Sequence, residues 1–380
     1  MSAAQFAHVE ELLAPEAQRL VQSLRQFSVA EIGSKAWLNQ HTAVEKLNLQ
    51  AQHSILKQSD EYVIEALVDY EKLPVLIAEL IALEAWQEQA LPTLFDEIAT
   101  KNSVKGYFIL YHEALLLGLL EKAVFHKHAI AAAGDMLLEM ADFCYRKTLF
   151  LNHSKLQQVL AEPDASASAS DSFRHQQVNI TYGVSMSCLT VIRFLLEAED
   201  DLPLGVLGRL VEENDVLCVL VPLLESQPWM RKNKKGVNEK FSDGRWYEVE
   251  GDEVFRLSKT EAQVTTAAQR CSRARASTVL RVQVWLSIYH VCLGKEARRK
   301  YKWDQHSKAN VMRARKYMSE VLLDQIPNLS DLQRFLDQLA ISAPPETGHN
   351  CNYNYNSSHS ASSSCSSCHV QCFLVPVVCA

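Results

Sequence analysis

Cys365-Ser366-Ser367-Cys368-His369, with Cys372 close behind, is the one stretch whose residue types and spacing could hold a metal. Two thiolates and an imidazole at that spacing would suit zinc, and Cys-x-x-Cys-His is also the attachment pattern of c-type haem. A zinc site needs four ligands held by a scaffold. Here the flanks are Ser-rich, with Asn352-Tyr353-Asn354-Tyr355-Asn356 before them and an apolar Phe373 to Val378 after. Haem attachment needs export, yet Phe6 to Leu13 includes His8, Glu10 and Glu11, and no basic segment precedes an apolar core. These cysteines read as incidental members of an unstructured tail, so neither metal nor cofactor is assigned.

The rest of the chain offers no Gly-rich phosphate loop, nucleophile elbow or zinc-protease motif. His41, His112 and His153 have no carboxylate or cysteine at ligand spacing, and read as core-edge or surface histidines. His126 and His128 stand two apart, which on a helix turns them to different faces. Glu199-Asp200-Asp201 and Glu212-Glu213 read as solvated or capping charges at helix ends. The expected role is non-enzymatic.

Composition fits that expectation. Among 380 residues, 48% hydrophobic and 22% charged, there are only 12 Gly and 11 Pro, which favours helix over strand. The net charge of −7 argues against general nucleic-acid affinity. Apolar stretches such as Ala114 to Leu120 are shorter than the roughly 20 residues that span a bilayer. Cys144, Cys188, Cys218, Cys271 and Cys292 read as reduced core thiols in a cytoplasmic protein.

Residues 5–160 repeat apolar residues at three, four and seven, as in Val9-Leu12-Leu13-Leu20-Leu24 and Val63-Ile64-Leu67-Val68. Tyr107-Phe108-Leu110-Tyr111 leads into Leu115-Leu116-Leu119-Leu120-Val124 in the same way. Such helices pack pairwise, and the expected fold is all-α, an armadillo- or HEAT-like solenoid. An Ala/Ser-rich linker or loop is expected at 161–173, a second helical region at 174–342 and a disordered Cys/Ser-rich tail at 343–380. Arg231-Lys232-Asn233-Lys234-Lys235 reads as a solvated basic loop. Asp243-Gly244 beside Phe241, Trp246 and Tyr247 predicts a small β-hairpin near 241–250.

Glu31-Ile32-Gly33-Ser34-Lys35-Ala36-Trp37-Leu38-Asn39-Gln40-His41 carries a further signal, with Lys72-Leu73-Pro74 and Trp86 downstream. So do Phe125-His126-Lys127, Asp142-Phe143-Cys144-Tyr145-Arg146-Lys147, Pro228-Trp229, Gly244-Arg245-Trp246 and Leu322-Leu323-Asp324-Gln325-Ile326-Pro327-Asn328-Leu329. In this collinear series the chain resembles the zinc-finger MYND-domain proteins of the BLU type, from about Leu12 to about Leu339. Two departures stand out. Thr265 to Val284 interrupt a pattern that otherwise passes from Gln263-Val264 to Trp285, so 265–284 reads as an insertion. After Pro344-Pro345 the spaced Cys and His pairs of the MYND finger are missing, and zinc is expected only in family members that retain them.

The resemblance implies a cytoplasmic adaptor or co-chaperone for preassembly of axonemal dynein arms, at centriolar satellites and the ciliary base as well. Implied partners are a leucine-rich-repeat assembly factor, cytosolic heat-shock chaperones, a prolyl isomerase, and axonemal dynein intermediate and heavy chains. The alternative is a MYND-family transcriptional co-regulator or scaffold, for which only Arg231 to Lys235 offers a nuclear address. Trp37, Trp86, Trp229 and Trp246 are candidate partner-binding residues by type, since aromatics anchor interfaces. Buried packing is the competing role for each.

Overall fold

Helix starts fall where the sequence supplies a proline or a cap. Pro15, Pro74 and Pro92 stand in the first turns of α1 (Ala14–Ser23), α4 (Leu73–Gln89) and α5 (Leu91–Lys101), where a missing N–H costs nothing. Ser34 Oγ accepts the Trp37 N–H at 3.2 Å and opens α2 (Lys35–Lys57), which ends at Gln58 in a left-handed conformation, φ +54°. The computed structural model describes residues 11–161, 166–233, 235–242, 244–249 and 280–341.

The stack continues through α3 (Tyr62–Asp69), α6 (Ser103–Val124), α7 (Lys127–Ala133), α8 (Met136–Leu151) and α9 (Leu156–Val159). Helix α10 (Ala169–Glu197) follows, then α11 (Val206–Gly208) running into a π-turn over Arg209–Glu213, and α12 (Val216–Ser226). The last helices are α13 (Leu280–Leu293), α14 (Lys295–Lys300), α15 (Gln305–Ala314), α16 (Glu320–Gln325) and α17 (Leu329–Ile341). Packing passes along the chain: α2 and α4 lie on α6, α6 and α8 on α10, α10 on α13, and α13 on α12 and α17. The result is the expected helical solenoid, with one apolar core running from Leu12 to Leu336.

Helix α10 is the shared wall. By length and composition it could cross a membrane, yet most of its apolar window is covered by other helices. It begins inside the segment read as a linker, because Ser168 and Asp171 form a reciprocal capping box. Ser168 Oγ accepts the Asp171 N–H at 3.1 Å and the Asp171 carboxylate accepts the Ser168 N–H at 3.2 Å. The core does not divide at 161–173 either, since α10 packs on α6 and α8 before it and on α13 after it. The expected tail at 343–380 lies outside the described residues, as does 265–279 of the expected insertion. Residues 280–284 form the buried first turn of α13.

The hairpin near 241–250 is part of a larger element. Three antiparallel strands, β1 (Met230–Lys232), β2 (Asn238–Ser242) and β3 (Arg245–Glu248), form a sheet in sequence order. Gly244, at φ +73°, makes the tight β2–β3 turn. The start of the basic run is therefore strand rather than loop: Arg231 pairs with Glu239 across β1 and β2 at 2.6 Å. Glu199 proves to be a cap, its carboxylate accepting the Lys295 and Ala297 N–H groups at 2.7 and 3.0 Å to start α14.

On α6, Glu121 is buried and its neighbour Lys122 partly buried. Lys122 Nζ donates to Asn48 Oδ1 on α2 at 3.0 Å and to the Gly118 carbonyl at 2.7 Å. Glu121 faces Ser187 of α10, and burial raises its carboxyl to about 7, while burial lowers Lys122 to about 8. A raised carboxyl contributes stability below its ordinary 4.5, and this is lost as pH climbs through 7. Lys122 carries a penalty below pH 8 that disappears as pH rises toward 10.5. Glu121→Gln should therefore raise stability at pH 7.5 by about 1–3 kcal/mol and flatten its decline between about pH 5 and 7. Denaturant unfolding across that range checks this.

Candidate functional site

Two polar clusters are sealed between the N-terminal helices. In the first, α2 contributes Gln40 and His41, α4 contributes Glu79, and α6 contributes His112. The Glu79 carboxylate, 1% exposed, accepts from Gln40 Nε2 and faces His112 Nε2 at 3.1 Å. Gln40 also closes both backbone groups of Arg25, accepting its N–H at 3.0 Å and donating to its carbonyl at 2.9 Å. The two histidines meet Nδ1 to Nδ1 at 3.0 Å, so one nitrogen carries the shared proton and the other accepts it. Burial, with His112 alongside, lowers His41 to about 4, which leaves its ring neutral at physiological pH. The sequence reading gave His112 no carboxylate partner. Glu79 supplies one from 33 residues away, beyond any local spacing rule.

In the second cluster, Lys147 of α8 reaches Glu113 of α6 at 2.7 Å and Glu84 of α4 at 3.9 Å. Burial pulls Lys147 down, and the two carboxylates more than offset it, so its ammonium stays charged. Gln87 donates to Glu113 at 3.0 Å, and the Arg146 guanidinium forks onto Glu84. These groups face other helices. Their chemistry is to hold α4, α6 and α8 in one register.

Above the first cluster lies an open groove of about 530 Å³ between α2 and the start of α6. His41 is shared by the cluster and the groove floor. Leu38, Thr42 and Glu45 line one wall, and Lys101, Val104, Lys105 and Phe108 the other. Val104 is 67% exposed, Phe108 40% and Tyr107 37%. Tyr107 stacks on Tyr111 with centroids 5.6 Å apart, and Phe108 lies 5.3 Å from the His41 ring. Gly106, on the covered side of the same turn, lets α6 approach α5 and α10 closely. A Cβ there would come within 2.3 Å of Ile98 and 2.8 Å of Phe173. The sequence reading saw Tyr107-Phe108 only as the approach to a core stripe. The missed signal is that Val104, Tyr107 and Phe108 carry apolar surface beyond the face that α6 buries.

The structure does not gather the four tryptophans into one site. Trp37 is fully buried, stacked on His41 and edge-on to His112 at 4.7 Å. Trp86 on α4 and Trp229 before β1 are also buried. Trp246 is half-buried, stacked on Tyr182 of α10 at 5.8 Å and crossed by the Arg231 guanidinium at 4.2 Å. Phe241 completes that corner, and Tyr182 Oη donates to the Pro228 carbonyl at 2.9 Å. The corner fastens the sheet to the helical stack.

His126 and His128 differ from expectation as well. His126 is the extended residue before α7, so both rings turn toward α3: His126 meets Glu61 at 2.7 Å and His128 meets Glu65 at 3.6 Å. No group of three or more His, Cys, Asp or Glu among the described residues could hold a metal ion.

Removing one member of the buried ion cluster should cost more than the cluster is worth as a whole. Lys147→Met would strand Glu113 and Glu84 and lower stability by about 3–5 kcal/mol. Arg146→Met, at a half-exposed position, should cost about 1 kcal/mol or less. Thermal unfolding of the two variants would reveal equal losses if the buried cation were unimportant.

No family model matches this chain, and no solved structure matches it. It is similar to the zinc finger MYND domain-containing protein 10 homolog of Drosophila melanogaster, 26% identical over 341 residues. The match spans 89% of this chain and 69% of that relative.

Proposed function

We propose that this relative of a zinc finger MYND domain-containing protein is a non-enzymatic cytoplasmic adaptor, a co-chaperone for the preassembly of axonemal dynein arms. The observation that carries the reading is the extent of the similarity, which runs through nearly the whole helical stack. A solenoid presents a long surface relative to its core, and that geometry suits holding partner chains rather than enclosing a small substrate. The polar clusters support the same reading, since their carboxylates are spent on helix register and lie beneath the surface. The expected partners are the leucine-rich-repeat assembly factor, heat-shock chaperones, a prolyl isomerase and the dynein intermediate and heavy chains, met in the cytoplasm, at centriolar satellites and at the ciliary base.

The co-regulator alternative leans on Arg231 to Lys235 as a nuclear address. Arg231 and Lys232 are strand residues, and Arg231 is engaged by Glu239 and Trp246. That favours the adaptor.

The test is capture of the tagged full chain from multiciliated cells, with bound proteins identified by mass spectrometry. Axonemal dynein heavy and intermediate chains should be recovered together with chaperones. A chain that captures neither dynein nor chaperone has another role.

A further inference from the structure

From the apolar stripe and charges of the α2–α6 groove, we infer that it is a docking site for a partner segment that is acidic and amphipathic. Such a segment would be a helix-length peptide setting an aliphatic or aromatic anchor between Leu38 and Phe108, with carboxylates toward Lys101 and Lys105. The inference rests on the adaptor reading only in taking the occupant to be a protein segment.

Exposed apolar area at the groove is concentrated. Val104 and Phe108 line the groove one turn apart on α6, each more than a third exposed, beside half-buried Leu38, and Tyr107, also more than a third exposed, adjoins them on α6 outside the lining. Scattered apolar residues on a surface need no explanation, whereas a contiguous stripe bordered by polar side chains marks an interaction site. Apolar residues at i, i+3 and i+4 present a helix-sized strip of the kind that receives another amphipathic helix. The wall is firm. Gly106 holds α6 tightly against α5 and α10 from behind, and His41 is fixed from below by the His112–Glu79 pair. A preorganised groove loses less entropy on binding than one that must form.

Charge decides the kind of partner. Lys101, 71% exposed, is held only by an exposed pair with Glu97 at 3.6 Å, which water screens. Lys105 has no ion-pair partner among the described residues and lies along the Gly33 turn. Asn102 joins the end of α5 to the start of α6, so opposite helix ends meet at this mouth and largely cancel, and the local charge is set by the two lysines. Glu45 is the one carboxylate on the lining and sits on the opposite wall. The cationic side is thus the α5–α6 junction, and a bound segment should run its acids along that edge. A basic peptide or a neutral apolar one would leave these charges unmatched. The floor adds no net charge, because His41 is neutral.

A display library of random 16-residue peptides, panned on the full chain, tests this. The counter-target is Val104→Asp with Phe108→Asp, both at exposed positions, checked for unchanged thermal unfolding. Peptides that bind the native chain and lose about tenfold or more affinity on the double variant should be enriched in Asp and Glu around helically spaced apolar residues. Lys101→Glu with Lys105→Glu should weaken those peptides, and peptides with Lys replacing their acids should recover binding to it. Absence of groove-dependent peptides, or groove-dependent peptides without acidic bias, overturns the proposal. So does a dimer in sedimentation that the Val104→Asp and Phe108→Asp changes dissociate, since the occupant would then be a second copy. Groove-dependent acidic peptides alongside a failed dynein capture would keep the groove and discard the dynein role. The opposite pair of results would move partner binding to another face.

Discussion

Everything in the stack is arranged around one demand: α10 must be covered on nearly all sides. Its residues from Val184 to Leu196 are almost continuously buried, and no single neighbour could shield such a helix. Helices α6 and α8 cover it from the N-terminal side and α13 from the C-terminal side, while the β-sheet closes against Tyr182. The two halves of the chain are therefore joined through the helix that each needs to complete its own core.

That demand has a polar counterpart. Where α2, α4, α6 and α8 press together, Glu79, Glu84 and Glu113 are taken out of water, and each is answered by a group from another helix. Apolar contacts tolerate sliding, because one methyl resembles another. A carboxylate with a named donor does not, since a shift of one helical position leaves both partners unsatisfied. The clusters thus set register while the aliphatic core supplies the driving force.

The helices were largely legible in the sequence, because apolar spacing repeats within one or two turns. The hairpin turn was legible from an equally local signal, Asp243-Gly244. What stayed hidden was long-range. Glu79 and His112 are 33 residues apart and look like ordinary surface types, and nothing in the spacing of Lys147 pairs it with Glu113. Strand β1 was missed because three residues, two of them cationic, carry no alternation to read. The Ser168–Asp171 capping box was present in the sequence but sat inside a run whose low complexity suggested a linker. The tryptophans could be placed on elements but not on surfaces. Burial is a property of the whole assembly, and three of the four lie inside it.

The first turn of α13 bears on how the segment before it could vary. Leu280, Val282, Gln283 and Val284 are core residues, so a chain without 265–284 would forfeit that turn unless something replaced it. The sequence holds a replacement. In sequence, joining Val264 to Trp285 aligns Thr260-Glu261-Ala262-Gln263-Val264 with 280–284, with Gln and Val repeated identically. Leu280 and Val282 would give way to Thr and Ala, a loss of apolar volume, while Arg281 would give way to Glu261, the charge a helix start prefers. In the chain described, the apolar anchor of α13 ahead of Trp285 is thus drawn from the end of the segment that reads as an insertion.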